Sequence, residues 1–393
     1  MERPVEGKTM KWILKNAIIH PVTSETFRGS ILIDKGKIAQ INPAERKGTK
    51  IFDGGGLHLF PGIVEEHCHI GTHGEKTNQT ADQDTNEWSE PITPEMHALD
   101  GIKIYDFGFK MALANGITTL NIFPGSGSPI TGIGVALKND PSLRFEERIL
   151  IKESGLKMAF GENPKSVHSK TSKTIQTRMA TAALIRKAFQ DALNYEKKAD
   201  KEYNRRFEIL LRVLKGELTA HVHAHRADDI QTIIRIADEF QFKIHLEHAT
   251  ESHLIPEIIA QRQIPVAIGP MFTAKYKIEV NNRSLRTPAI LEKAGVKDLS
   301  LITDHPVIPI WNLPIEASMA VHYGLSEDLA LRSITINPAR NLGLDHRIGS
   351  IEVGKDADMI LLDRELLDPT HRVLYVWTNG TLSYDTEKEG MVL

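Results

Sequence analysis

Hydrophobic positions at the two ends of the chain are spaced as in β-strands. Over roughly the first sixty residues, "WILKNAIIHP", "SILIDKGKIAQINP" and "IFDGGGLHLF" alternate or run apolar, with Gly, Asp or Pro as punctuation. Over roughly the last fifty, "GSIEVGKDADMILLD" and "RVLYVWTNGTLSYD" return to the same style. Two strand-rich ends around a different middle predict one small β-domain assembled from both termini.

The middle alternates between the two periodicities. Its strand-like segments are "GIVEEHCHIG", "GITTLNIFPG", "GIGVALK", "GLKMAFGENP", "TAHVHAHR", "FKIHLEHAT", "IPVAIGPMF" and "DLSLITDHPVI". Between several of them lie helical patterns: "TRMATAALIRKAFQDALNYEKKA", "DDIQTIIRIADEFQ", "HLIPEIIAQRQ" and "RTPAILEKAG". This alternation predicts an α/β fold with a parallel sheet, and eight units over roughly 280 residues fit a (β/α)8 TIM barrel. A doubly wound sheet lacks its usual signature, because no G-x-G-x-x-G opens a helix after the first strand. The charged stretch "NYEKKADKEYNRRFEILLRVLKGE" reads as a solvated helix.

Composition narrows the function more than the fold. The 393 residues suffice for one large domain or two ordinary ones. Lys and Arg number 48 against 51 Asp and Glu, so electrostatics give no reason to expect nucleic acid or an anionic membrane as partner. A single cysteine suits a reducing compartment and rules out an internal disulfide framework. With no signal-like apolar core near the amino end, the expectation is a soluble cytoplasmic protein acting on a small molecule.

The 17 histidines change the picture because they cluster. "EEHCHIG" packs His67, Cys68 and His69 together, which raises three readings: a metal site, a thiol nucleophile with its base, or a polar loop. Strand alternation puts His67 and His69 on one face and turns Cys68 away. Two imidazoles at i, i+2 make half a metal shell at the end of a strand where barrel active sites lie. Later strands supply further donors: His221, His223 and His225 in "TAHVHAHR", His248 ending "FKIHLEHAT", and Asp304 ending "SLITDHPV".

These residues carry a family resemblance. "FPGIVEEHCHIG" resembles the P-G-x-x-D-x-H-x-H opening of the amidohydrolase superfamily of metal-dependent hydrolases. "NPARNLGLDHRIGSIEVGKDADMILLD" resembles its closing N-P-A-x-x-L-G and G-x-I-x-x-G-x-x-A-D signature. Within it, "GLKMAFGENPK" and "HVHAHRADDI" look like the imidazolonepropionase-related and prolidase-like branch. The resemblance implies a catalytic barrel over residues 62–345 and a β-sandwich from residues 1–61 with 346–393. It further implies one or two divalent ions, zinc foremost, held by His67, His69, His223, His248 and Asp304, with Asp304 as general acid/base. Relatives also associate, so a homo-oligomer is possible.

On the fourth strand two residues compete. Lys157 aligns with a lysine that relatives carbamylate to bridge two ions, while Glu162 lies at the strand's end as an unmodified alternative. The pleat favours Lys157, which shares a face with Ala159 and Gly161. Where the family has aspartate before the first histidine, this chain has Glu65, which would orient a ligand if it faces inward.

Selectivity should come from loops. The segment after strand one, "GTHGEKTNQTADQDTNEWSEPITPEMHALDG", is long enough to be a lid, and "FPGSGSPITG" is a glycine-rich loop that could hold an anion or be a plain tight turn. His73, His225, Arg226, Arg283 and Arg286 are candidates for a substrate carboxylate, although for each arginine a surface salt bridge is the commoner reading. The expected chemistry is hydrolysis of a C–N bond in an amide, cyclic amide or dipeptide-like substrate. A heterocycle deaminase on the same fold is the alternative, and a non-catalytic scaffold the third reading.

Overall fold

In the computed structural model, residues 11–44, 48–74, 83–170, 174–275 and 277–389 are described. The first strands are β1 (Trp12–Ile19), β2 (Phe27–Asp34), β3 (Lys37–Ile41), β4 (Lys50–Asp53) and β5 (His58–Pro61). Next come β6 (Ile63–Cys68), β7 (Ile117–Ile122), β8 (Ile130–Ile133), β9 (Val135–Lys138) and β10 (Ile149–Ile151). The middle continues with β11 (Leu156–Ala159), β12 (Ala220–Ala224), β13 (Ile244–His248), β14 (Val266–Ile268) and β15 (Leu299–Leu301). The chain closes with β16 (Met359–Leu362), β17 (Val373–Thr378) and β18 (Thr381–Asp385).

The alternating ends do meet. They form one eight-stranded sheet in the order β18-β17-β16-β5-β1-β2-β3, with β4 also paired to β1. Its alternate side chains pack Leu14, Ile31, Ile33, Leu59, Met359 and Trp377 into a shared core. Burial of such apolar faces is what brings the two distant segments together.

A buried ion network fastens this sheet to the middle of the chain. Lys138, at the end of β9, donates to Asp356 Oδ2 at 2.7 Å and to Asn379 Oδ1 at 2.8 Å, and lies 2.8 Å from Asp358 Oδ2. Lys37 and Arg347 also reach Asp356. Burial pushes the Asp356 carboxyl up, but Lys138, Lys37 and Arg347 outweigh it and hold it down at about 2. A depressed folded value means the contribution is full above the ordinary carboxylate range and is lost as pH falls through it. We therefore expect stability to drop by about 2 kcal/mol between roughly pH 4 and pH 2 from this group. Urea titrations of wild type and Asp356→Asn across that window check it, since the variant should lack this part of the slope.

The central strands form two further sheets, β10-β9-β7-β6 and β15-β14-β13-β12-β11-β8. From β11 to β15 every neighbour is parallel, and the expected helices lie between them at Arg178–Glu196, Ala227–Phe240, Pro256–Arg262 and Thr287–Lys293. The remainder departs from an all-parallel pattern. "GIGVALK" becomes β9, antiparallel to β7, and β8 runs antiparallel to β11. The architecture is α/β with mixed sheets.

The two central sheets touch at both edges. Gly134 joins β8 to β9, while Glu65 on β6 accepts hydrogen bonds from Thr303 just beyond β15. The charged stretch expected to be solvated contains the helix Arg205–Leu214, which buries Ile209, Leu210, Leu211 and Val213. Asn204 caps it, accepting from the N–H groups of Arg206 and Phe207, so it starts later than the charge run suggests. Among the described residues no helix is long and apolar enough to cross a membrane.

Candidate functional site

The carboxyl ends of β6, β11, β12, β13 and β15 bring the singled-out side chains together. On β6 the pairing with β7 slips between Glu65 and Cys68, so strict alternation fails there. His67 and His69 nevertheless converge, their Nε2 atoms 3.4 and 3.2 Å from Asp304 Oδ1. Cys68 is fully buried in the apolar core, its Sγ 3.6 Å from the Asn121 carbonyl, and burial raises its thiol well above the usual range. A thiolate nucleophile is thereby disfavoured.

Glu65 does face inward, but it does not touch an imidazole. Its Oε1 accepts from the His67 backbone N–H at 3.2 Å, and its Oε2 accepts from Thr303 N–H at 3.1 Å and Thr303 Oγ1 at 2.6 Å. Burial pushes its carboxyl up to about 8 against those hydrogen bonds. Its role is to tie the backbone that carries His67 to the backbone that carries Asp304.

Backbone strain completes the convergence. His248 and Asp304 have φ of 67° and 52°, in the left-handed region that non-glycine residues seldom occupy. After His245 and Glu247 have faced inward on β13, alternation would turn His248 outward; the positive φ swings it back. Its Nδ1–H donates to the Gly269 carbonyl at 2.8 Å, which leaves Nε2 for the centre. His69 is set likewise, its Nδ1–H donating to the Phe123 carbonyl at 2.8 Å. His67, His248 and Asp304 each offer a donor atom within 4.8 Å of the others.

Lys157 reaches the same point, its Nζ 3.0 Å from His67 Nε2. Burial lowers its ammonium to about 8 despite Glu247 and Asp304 nearby. Glu162 goes elsewhere: it opens the helix Glu162–Lys170, half-buried, and its backbone N–H donates to Glu279 Oε2 at 2.7 Å. Gly161 makes that turn, with φ of +94° and no room for a Cβ, which would lie 2.5 Å from Glu279 Oε2. His223 stands beside His248, ring centroids 4.4 Å apart.

Beneath this group lies a network that pattern reading missed. Glu247 Oε2 accepts from His67 Nδ1–H at 2.9 Å and Oε1 from His221 Nδ1–H at 2.7 Å. His245 sits between two carboxylates, 3.1 Å from Glu247 Oε1 and 3.0 Å from Glu66 Oε1. Burial alone would keep His245 neutral, but Glu66 and Glu247 raise its imidazole to about 10. Burial likewise pushes Glu247 up, and His67 and His245 hold it well below the usual carboxylate range. The inward i, i+2 pair His245 and Glu247 was the available signal, masked by the neighbouring His248.

Several candidates lie off this group. His73 Nδ1 donates to the adjoining Gly74 carbonyl at 3.2 Å. Arg226 forks onto Asp228 at 2.8 and 2.7 Å, and Arg283 donates to Thr273. Arg286 is exposed just before the helix Thr287–Lys293. His225 remains near, its ring centroid 5.1 Å from that of His248. The glycine-rich loop serves packing: Gly127 N–H donates to Asn86 Oδ1 at 2.7 Å, and a Cβ on Gly125 would meet that oxygen at 2.4 Å. Residues 75–82 of the long loop that supplies Asn86 lie outside the described residues.

In this fold of mixed sheets, imidazoles and a carboxylate gather at the strand ends in an arrangement that could hold a metal ion. Residues 58–384 match the Amidohydrolase family, and the chain belongs to it. It resembles the crystal structure of an amidohydrolase from Thermotoga maritima MSB8, with 40% identity, a TM-score of 0.92, and 95% of this chain and 100% of that one covered. It is 27% identical to amidohydrolase tasK of Hapsidospora irregularis over 98% of this chain and 44% of that protein. To an adenine deaminase of Desulforamulus reducens it is 23% identical, over 94% of this chain and 56% of that protein. The chain thus spans about half the length of these two curated relatives.

Proposed function

We propose that this protein is a divalent-metal-dependent hydrolase of a C–N bond in an amide, cyclic amide or dipeptide-like small molecule. One observation carries the reading. His69 Nε2 and Asp304 Oδ1 face each other at 3.2 Å as two acceptors, because the His69 Nδ1–H is committed to Phe123. Acceptors buried that close need a cation between or beside them. The same demand acts on His67: burial and Lys157 lower its imidazole, yet Glu247 and Asp304 outweigh them and raise it. The donor set of imidazole and carboxylate suits Zn²⁺ or a related divalent ion.

In this reading His67, His69, His248 and Asp304 hold the ion, and Lys157 completes the set. His223 stands next to His248 for a second ion. The bound ion supplies Lewis acidity and a lowered pKa for water. The chain's own groups do the rest. Asp304 takes the proton of the attacking water and delivers it to the leaving nitrogen. Glu247 holds the His67 Nδ1–H, fixing which nitrogen faces the ion. Burial keeps the imidazole of His248 down at about 3, so its lone pair is available throughout the neutral range. The lowered Lys157 ammonium gives up its proton more readily than an ordinary lysine; the amine's lone pair can then form a C–N bond with CO₂, releasing one proton and leaving a carbamate. NMR of protein equilibrated with ¹³C-bicarbonate tests this, and absence of a carbamate resonance leaves Lys157 as an amine.

Within the same proposal the two central sheets form one (β/α)8 barrel over residues 62–345. Residues 1–61 and 346–393 form a β-sandwich beside it, and the protein is cytoplasmic and self-associating. Zinc-loaded protein assayed against N-acyl amino acids, dipeptides, cyclic imides and aminated heterocycles tests the activity. Cleavage in the first three classes supports it, whereas ammonia release from heterocycles alone favours the deaminase reading that the adenine deaminase relative brings. Glu247→Gln should weaken metal affinity by about 10–100-fold in equilibrium dialysis. Unchanged affinity would remove Glu247 from the account.

A further inference from the structure

A buried carboxylate at the rim of the candidate site keeps one oxygen without a donor. Glu279 is 2% exposed, and its Oε1 has no hydrogen-bond partner. It lies beside His223 and His225, each of the three offering a polar atom within 4.8 Å of the other two. His225 in turn stands next to His248, their ring centroids 5.1 Å apart, so Glu279 borders the group gathered around Asp304. Leaving a buried charged acceptor unpaired is costly, and an oxygen so placed marks where another molecule completes the site.

The rest of the carboxylate is committed, which fixes where Oε1 points. Oε2 accepts from the Glu162 N–H at 2.7 Å and faces Arg178 at 3.6 Å. That guanidinium is itself taken up by Asp229, its Nε donating to Oδ1 at 3.1 Å and Oδ2 at 2.9 Å. On the other side Lys277 Nζ stands 3.7 Å from Oε1, beyond hydrogen-bonding reach, on a side chain 16% exposed. His225 does not fill the gap in either tautomer, because its Nε2 is 3.8 Å from Oε1 and its Nδ1 is engaged with Thr250 Oγ1 at 2.7 Å. What Oε1 lacks is a compact donor carrying positive charge, and a primary ammonium has both properties.

We infer that Glu279 Oε1 receives a primary ammonium group of the substrate, so the molecule cleaved is dipeptide-like with a free amino end. This rests on the metal-hydrolase reading and narrows its substrate class, setting aside N-acyl amino acids and cyclic imides. The placement suits the chemistry. In a dipeptide the amino nitrogen is two bonds from the carbonyl carbon that is attacked, and Glu279 is separated from His248 only by the imidazole of His225. An acyl chain without the ammonium would cover Oε1 and leave it unpaired, which is how a polar site rejects an analogue that lacks its partner.

The test compares matched substrates on the zinc-loaded protein: alanyl-leucine with N-propionyl-leucine, and alanyl-proline with N-propionyl-proline. Each pair differs only in the ammonium group. Near neutral pH the alanyl member should have the higher kcat/KM by about 10–100-fold, the range of a charge-assisted hydrogen bond. The preference should shrink as pH rises past about 8, where the amino end loses its proton. Glu279→Gln should abolish it, and Glu279→Asp, which keeps the charge, should restore part of it. Because both members meet the same enzyme, their ratio cancels a general loss of folding or metal. Should Glu279→Gln not fold, the pH dependence of the ratio in wild type still decides. Equal rates within the pairs, a preference that survives Glu279→Gln, or hydrolysis of cyclic imides alone would overturn the inference and leave the C–N hydrolase reading standing. No hydrolysis of any of these compounds would sink that reading and the inference with it.

Discussion

Asp304→Asn, compared with wild type at matched metal content, should lower kcat/KM by about 10²–10⁴-fold on whichever C–N substrate the protein cleaves. The expectation follows from position. Asp304 lies just beyond β15, facing His67 and His69 within 3.4 and 3.2 Å of their Nε2 atoms, in a backbone conformation with φ of 52° that holds its carboxylate inward. Burial would raise its carboxyl, but His248, His67 and His69 hold it well below the ordinary range, so it stands ionised as a proton acceptor. Asparagine keeps the shape and an oxygen but accepts no proton at neutral pH. Activity within tenfold of wild type at equal metal occupancy would take the proton-transfer role from Asp304.

Lys138→Met should destabilise the protein by about 3–5 kcal/mol, the cost typical of removing one partner from a buried ion cluster. Methionine fills much of the space, so the loss is mainly electrostatic. Asp356 retains Lys37 and Arg347, but Asp358 keeps only the Asn379 N–H, at 2.8 Å, as a described polar partner. Because Lys138 belongs to β9 and both aspartates to the segment entering β16, the damage falls where the terminal sheet meets the central strands. Urea unfolding measures it directly, and adding Asp358→Asn to the variant should recover part of the loss. A change below 1 kcal/mol would show that the cluster fastens nothing.

The same two aspartates show what the sequence makes legible. "GKDADMILLD" marked the return to strand spacing and carried the family resemblance, but it gave no sign that Lys138, far away, pairs with both acids. At the site, His67, His69, His223, His248 and Asp304 were legible because each sits in a strand-like run at the end where such sites form. The inward position of Lys157 was legible from the pleat, which ranked Glu162 second; the chain turns at Gly161 and carries Glu162 into a helix. What alternation hid were Glu66 and His245. The slipped register on β6 and the positive φ at His248 let both sides of those strands contribute inward. Glu279 was hidden for another reason. It lies in the single 3-10 turn Ile278–Val280 after β14, too short for periodicity to assign a face. His73 and Arg226 make local hydrogen bonds that their positions in the sequence did not signal.

The central claim is that the acceptors gathered around Asp304 hold a divalent cation. Diffraction from crystals of zinc-supplemented protein at wavelengths on either side of the zinc edge tests it most directly. The account predicts an anomalous peak bonded to His67, His69, His248 and Asp304, strong above the edge and lost below it. No peak at that position, with Lys157 Nζ still seated against His67 Nε2, would contradict it.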